Sequence, residues 1–389
     1  MKRMAVIFNS DYQHWPMGGM ITYVNQAVSM LSEFYEIELW GCAVDGREPE
    51  AVTVGESSYP IRANTTAKTR KKLIPNVVKC FWGNMAGSTE FRAERYDILY
   101  FHLSASMLGW FLGEKLRRPF GRRKDGPLVI LHQHGMAYRD PIGDRLDYFA
   151  MDLADLVFLT TDRKSLEIHK THTKNPRVIW MPSMVDTDFF HVPSEQKKHV
   201  LRAERKIDEN KKVFIYTGRI TGWKNPHLLL DAFEQYQQRR GDGYLIYVGD
   251  GNELPALQVR IAEKGLAESV RLTGKLDRAE IRAYLQAADV FTLPSRGEGV
   301  SVSTLEAMAA GLPVVAFDVE GMSGMVEPCS GILVERQTAE DYADGMEQAV
   351  CGQTQFRPTD TSAQYSIAHV REMMVGAIEN VLALKGNEG

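Results

Sequence analysis

The sequence predicts an α/β protein of two doubly wound domains, and three observations carry that expectation. Its 389 residues exceed the size at which a single hydrophobic core ordinarily stops growing. Short apolar runs alternate with helix-length stretches, the pattern of parallel strands joined by crossover helices. The alternation breaks once, in a polar, charge-rich stretch at 193–212, and then restarts. Domains are therefore expected at 1–190 and 191–364, with a final helix over 365–389.

In the first half, strand-length apolar runs lie at 4–8, 37–40, 97–101, 128–131, 156–159 and 177–180. In the second half they lie at 213–216, 244–248, 270–273, 290–293, 314–316 and 331–334. Doubly wound sheets bind ligands beyond the carboxyl ends of their strands, so the loops leaving these runs are where chemistry is expected. Two such domains facing one another would enclose a cleft. The stretch 365–384 has helical periodicity and no strand after it.

Composition narrows the function classes. A hydrophobic content of 44% is ordinary for a soluble domain, and no run approaches the roughly twenty apolar residues that span a bilayer. Cys42, Cys80, Cys329 and Cys351 have no metal-ligand spacing, and no secretory signal precedes the first strand, which predicts reduced thiols in a cytoplasmic protein. The net charge of −4 hides an excess at 62–124, where fourteen basic residues face four acidic ones. The basic clusters 68–72, 117–118 and 122–124 lie near Phe81, Trp82, Trp110 and Phe111 in sequence. Two readings stay open: a solvated face, or peripheral contact with the anionic inner face of a membrane. No nucleic-acid partner is expected.

The most informative stretch is Glu298-Gly-Val-Ser-Val-Ser-Thr-Leu-Glu306, between the run at 290–293 and a helix-like run at 304–310. It predicts one carboxylate on the loop leaving a strand and the other in the first helical turn, where open backbone N–H groups attract anions. A nucleotide-sugar suits both, with a diphosphate for the helix start and hydroxyls for the carboxylates. Run 213–216 ends in Thr217-Gly-Arg-Ile-Thr-Gly-Trp-Lys-Asn-Pro226, where Gly218, Arg219 and Lys224 precede a helix near His227 and Asn225-Pro226 reads as a capping pair. Gly249-Asp-Gly251 closes the next strand; it is either a tight turn or a close backbone approach to the nucleotide. Gly18 and Gly19 follow the first strand, and His134 of His132-Gln-His-Gly135 follows the run at 128–131.

The segment from Glu298 to Ala316 resembles the E-x7-E signature of retaining glycosyltransferases of the family 4 type, and 319–327 and 330–334 extend the likeness over most of the second domain. The resemblance implies a GT-B fold of two Rossmann-like domains, with the terminal helix returning to complete the first, acceptor-binding domain. It implies that Arg219 and Lys224 neutralise a leaving diphosphate, that Glu298 orients the transferred sugar and that Glu306 binds ribose hydroxyls. Gly299, Val300, Ser301, Gly218 and Gly249 would line the donor, and Gly18, Gly19 and His134 would approach its sugar. The implied activity is retaining transfer from a UDP- or GDP-sugar to a saccharide, lipid-linked or small-molecule acceptor, with no cofactor or metal.

Departures are also visible. Ser183 and Met184 replace the Asn and Gly of the family's interdomain run, and Asp186-Thr-Asp188 fits that run better than a D-x-D metal motif. His169 and His172 have helical spacing without a third ligand in sequence, so no zinc site is expected. Alternatives in the same architecture are a nucleotide-sugar epimerase, a glycan phosphorylase or a natural-product glycosyltransferase, and a scaffold is the non-enzymatic alternative. A Rossmann oxidoreductase is disfavoured because the first strand lacks G-x-G-x-x-G.

Overall fold

The computed structural model describes residues 1–8, 19–44, 51–54, 57–67, 76–93, 96–117, 126–134, 141–161, 163–319 and 321–387. They form two compact units, one of Met1–Pro182 with Val370–Gly389 and one of Ser183–His369.

The first unit runs β1 (Lys2–Ile7), α1 (Gly19–Leu31), β2 (Tyr35–Val44), β3 (Ala51–Val54), β4 (Ser57–Ala67), α2 (Asn76–Ala93), β5 (Ile98–Phe101), α3 (Ser104–Arg117), β6 (Leu128–His134), α4 (Pro141–Leu153), β7 (Leu156–Thr160), α5 (Arg163–His172) and β8 (Val178–Trp180). Its sheet has the order β3-β4-β2-β1-β5-β6-β7-β8. Every pairing is parallel except the antiparallel edge pair β3 and β4. That edge pair has no counterpart among the sequence-predicted strands. Its segments alternate buried and exposed residues and include Pro60, so they lack the continuous apolar run that marks a central strand.

Central strands bury both faces. All of Ile98–Phe101 and Leu156–Thr160 are buried, and Trp40, Phe91, Phe101 and Trp110 share one aromatic cluster. Trp110, read from sequence as an aromatic beside the basic stretch, is therefore core, at 5% exposed. Helices α2 and α3 pack closely because Gly109 and Gly113 lack side chains: a Cβ would lie 1.9 Å from the Phe81 carbonyl at one and 2.5 Å from that of Met85 at the other.

The second unit continues with α6 (Glu195–Glu204), β9 (Lys212–Thr217), α7 (Pro226–Arg240), β10 (Gly243–Val248), α8 (Leu254–Glu263), β11 (Val270–Leu272), α9 (Arg278–Ala287), β12 (Val290–Leu293), α10 (Val302–Ala309), β13 (Val314–Phe317), β14 (Gly331–Val334), α11 (Ala339–Cys351) and α12 (Pro358–Ala363). Its parallel sheet has the order β11-β10-β9-β12-β13-β14, the 3-2-1-4-5-6 order of a Rossmann fold. Asp289 fixes the start of β12. Its carboxylate takes Arg202 and Lys198 at 2.7 Å each and the Val213 N–H at 2.8 Å.

The division falls at Pro182 and Ser183 instead of at 190 because the intervening segment is bonded into the second unit. Tyr365 accepts from the Val185 N–H at 2.8 Å, the Ile367 N–H donates back to Val185 at 3.1 Å, and Asp186 pairs with Arg278 at 3.3 Å. The last helix, α13 (Ile367–Asn387), passes into the first unit at Val370. There Glu379 accepts from the Tyr35 hydroxyl at 2.7 Å and Lys385 pairs with Asp155 at 3.0 Å. Among the described residues no helix is long and apolar enough to cross a membrane.

Candidate functional site

In the second unit the strand order reverses between β9 and β12, and the loops at the carboxyl ends of these two strands converge. Such a switch point is where an open α/β sheet leaves a crevice. After β9, the backbone turns at Gly218 and passes Arg219 before a short 3₁₀ turn over Gly222–Lys224. Gly249 makes the turn possible from the side. Its φ is +143°, and a Cβ there would lie 1.9 Å from the Gly218 carbonyl. The neighbouring Gly251 similarly admits the Ile220 carbonyl, 2.1 Å from its would-be Cβ.

Lys224 on the first loop forms an ion pair with Glu298 on the second, with both side chains largely shielded from water. The two loops are also tied by Trp223, whose indole N–H donates to Gly297 at 2.7 Å while its carbonyl accepts from the Arg296 N–H at 3.1 Å. Arg219, in contrast, is exposed and its guanidinium has no hydrogen-bond or salt-bridge partner among the described residues. Tyr216 lies beneath, donating to the Arg219 carbonyl at 2.7 Å; burial and then the Glu298 charge hold its phenol far above the usual range.

Two local expectations are corrected. Helix α10 begins at Val302, with Ser301 as its cap accepting from the Thr304 N–H, so Glu306 stands one turn inside the helix and not in its first turn. Asn225 precedes α7 but is left-handed, with φ 59°, and makes no side-chain cap bond; it serves the bend between the 3₁₀ turn and Pro226. Burial pushes the Glu306 carboxyl up to about 7, against the pull of Arg278. Gly299 is exposed with open space around it, Val300 is half-buried, and Gly321, at φ +83°, lets the carbonyls of Glu298 and Gly299 approach. The hydroxyls of Thr217 and Ser295, buried at the ends of β9 and β12, have no partner among the described residues. The arrangement offers one unpaired cation, one exchangeable ion pair and a helix start in a single crevice, which suits a phosphorylated ligand carrying hydroxyls.

Residues 197–361 match the family model described as glycosyl transferases group 1. That segment is similar to the glycosyl transferases group 1 family. The chain is 28% identical over 352 residues to a D-inositol 3-phosphate glycosyltransferase of Corynebacterium jeikeium, covering 86% of this chain and 83% of that one. Among solved structures, sucrose-phosphate synthase from Thermosynechococcus elongatus superposes with a TM-score of 0.75 at 19% identity, over 99% of this chain and 100% of that one. HepE of Anabaena in complex with UDP and glucose superposes with a TM-score of 0.71 at 16% identity, over 97% and 100%. The fold is GT-B.

The glycosyl transferases group 1 segment holds Gly218, Arg219, Lys224, Gly249, Glu298, Gly299, Val300, Ser301 and Glu306 together at one end of its sheet. Gly18 lies outside the described residues, and Gly19 opens α1. Also outside them are the basic stretches 68–72 and 122–124; Arg117 is exposed. Asp186 caps the Phe189 N–H at 2.9 Å and pairs with Arg278, so its carboxylate is already engaged.

His134 belongs to the first unit, at the end of β6, in a stack that sequence reading missed. His102 follows β5, and the β5–β6 register brings it beside His132 and His134. Their nitrogens lie within 4.8 Å of one another. The rings are nearly parallel, at 8° to 20°, and His102 Nδ1 and His134 Nε2 face each other at 2.9 Å, a hydrogen-bond separation that leaves no room for an ion between them. Burial holds all three imidazoles well below their usual range, His134 at about 3. The period-two spacing of 132 and 134 was a usable signal for a shared face. The third histidine arrives by strand pairing, which sequence spacing does not report.

Proposed function

We propose that this glycosyltransferase moves a sugar from a UDP- or GDP-sugar to an acceptor hydroxyl with retention at the anomeric carbon. The observation that carries the reading is the meeting of unpaired Arg219 and the Lys224–Glu298 pair at the switch point of the second sheet. An arriving diphosphate competes with Glu298 for Lys224, and Arg219 binds its oxygens bidentately. The N–H groups opening α10 add partial positive charge where the leaving group gains negative charge. Glu298, freed from Lys224, accepts from hydroxyls of the transferred sugar, and Glu306 accepts from those of the ribose. Fixed cations replace a divalent ion in this scheme.

A uridine nucleotide is favoured in the reading because HepE, a structural neighbour, binds UDP and glucose. The relatives named for D-inositol 3-phosphate make a small phosphorylated polyol one acceptor to try, alongside saccharide and lipid-linked acceptors of cell-envelope synthesis. A thermal-shift screen of UDP, GDP, ADP and their glucose conjugates in the presence of chelator tests the donor site. The expected result is a clear rise with one nucleotide class, because a ligand of the native state stabilises it by mass action. No rise with any of them sinks the reading. Retention is tested by the anomeric proton coupling of the product.

A further inference from the structure

His102 governs which proton His134 carries. The two are joined by a 2.9 Å hydrogen bond between His102 Nδ1 and His134 Nε2. Both rings are neutral at working pH, because burial opposes their charging, so each has one N–H and a single proton lies in the bond. His102 is 1% exposed, and its other nitrogen, Nε2, is buried without a partner among the described residues.

Only two arrangements are possible. If His134 donates, His102 keeps its proton on Nε2, a buried N–H with nothing to accept it. If His102 donates from Nδ1, the unmatched group on Nε2 is a bare lone pair. Orphaned buried donors are rarer in proteins than under-used acceptors, so the bare lone pair is the more tolerable mismatch. We infer that His102 donates to His134, and so holds His134 as an Nδ1–H donor at the mouth of the first sheet. His134 Nδ1 has no partner among the described residues and His134 is only half-buried, so that N–H is left open.

The neighbouring His132 supplies an internal contrast. Thr160 Oγ1 donates to the Met181 carbonyl at 2.8 Å, so it accepts from His132 Nε2–H at 2.8 Å, and His132 Nδ1 accepts from the Tyr100 hydroxyl at 2.5 Å. His132 is therefore an Nε2–H ring and His134 an Nδ1–H ring, two positions apart on the same strand. His102 acts as a positioning residue.

The test is ¹⁵N-detected histidine NMR on the whole chain, which reads the protonated nitrogen of each ring directly. The expected spectrum has Nδ1 of His134 and Nε2 of His132 in the protonated range. His102→Asn keeps an N–H near the position of Nδ1 and should preserve the His134 assignment; His102→Leu should shift its proton to Nε2. A wild-type His134 protonated at Nε2 overturns the inference whether or not the variants fold, as does a His134 unmoved by His102→Leu.

Discussion

Glu306 is the residue at which pH, stability and ligand binding meet. Burial raises its carboxyl to about 7, so from the ordinary carboxylate range up to that pH the folded chain holds a proton that the unfolded chain has released. Stability from this group is complete at low pH and is lost as pH rises through about 7, by roughly 3 kcal/mol in all. Glu306→Gln should melt at a higher temperature than the parent at pH 8 and differ little at pH 5. Equal pH dependence in the two proteins would show that the carboxyl is not raised. A ribose whose hydroxyls donate to this group needs it ionised, so UDP affinity should increase about tenfold from pH 6 to pH 8 in the parent and stay flat in Glu306→Gln. Glu298 is separable from it: Glu298→Gln should lower transfer more than it lowers UDP affinity, and equal losses would move Glu298 to the nucleotide. The loop-and-helix setting of both glutamates was legible in the sequence, apart from the depth of Glu306 within its helix. The Lys224–Glu298 contact was not, because it joins residues 74 apart in sequence and depends on β12 pairing with β9.

At the scale of elements, the glycines of the crevice divide into those that build the loops and one that only borders the space. Gly249→Ala forces a Cβ onto the Gly218 carbonyl at a strained φ and should cost about 2–5 kcal/mol in urea melts. Gly299→Ala meets nothing within 4 Å and should leave stability within about 0.5 kcal/mol, so any loss of UDP binding there reports ligand approach and not folding. If the two variants are equally stable, the Gly218–Gly249 contact does not hold the loop. In the first unit, the close packing of α2 on α3 leaves Trp82 at 56% and Leu116 at 68% exposed, beside exposed Lys115 and Arg117. We propose these exposed residues as the contact with anionic lipid. Sedimentation with phosphatidylserine vesicles should show salt-sensitive binding that Trp82→Ser and Leu116→Ser weaken, and absence of binding at low salt makes it a solvated face. Central strands were readable because their apolar runs are continuous. The β3–β4 edge was not, since half-exposed alternation and Pro60 resemble a loop.

At the scale of the whole molecule, the second unit is sequence-continuous while the first is not. The ends of the second unit are held to each other by the Val185 bonds to Tyr365 and Ile367, so a fragment of residues 183–369 should fold cooperatively and retain the thermal response to UDP. A fragment that is unfolded, or folded but blind to every nucleotide that stabilises the full chain, would mean that the site needs residues outside the unit. The return of the chain to its first unit was implied by resemblance and not by periodicity, because a helical pattern states that a helix exists without naming the sheet it covers. That return also has a consequence for synthesis. Domains commonly fold in the order in which they are made. Here the first unit lacks the helix that receives the Tyr35 and Asp155 contacts until residues 370–387 are made, whereas the strands of the second are complete at Val334. During synthesis, the sheet of the half encoded second should therefore be complete before the first unit gains its last helix.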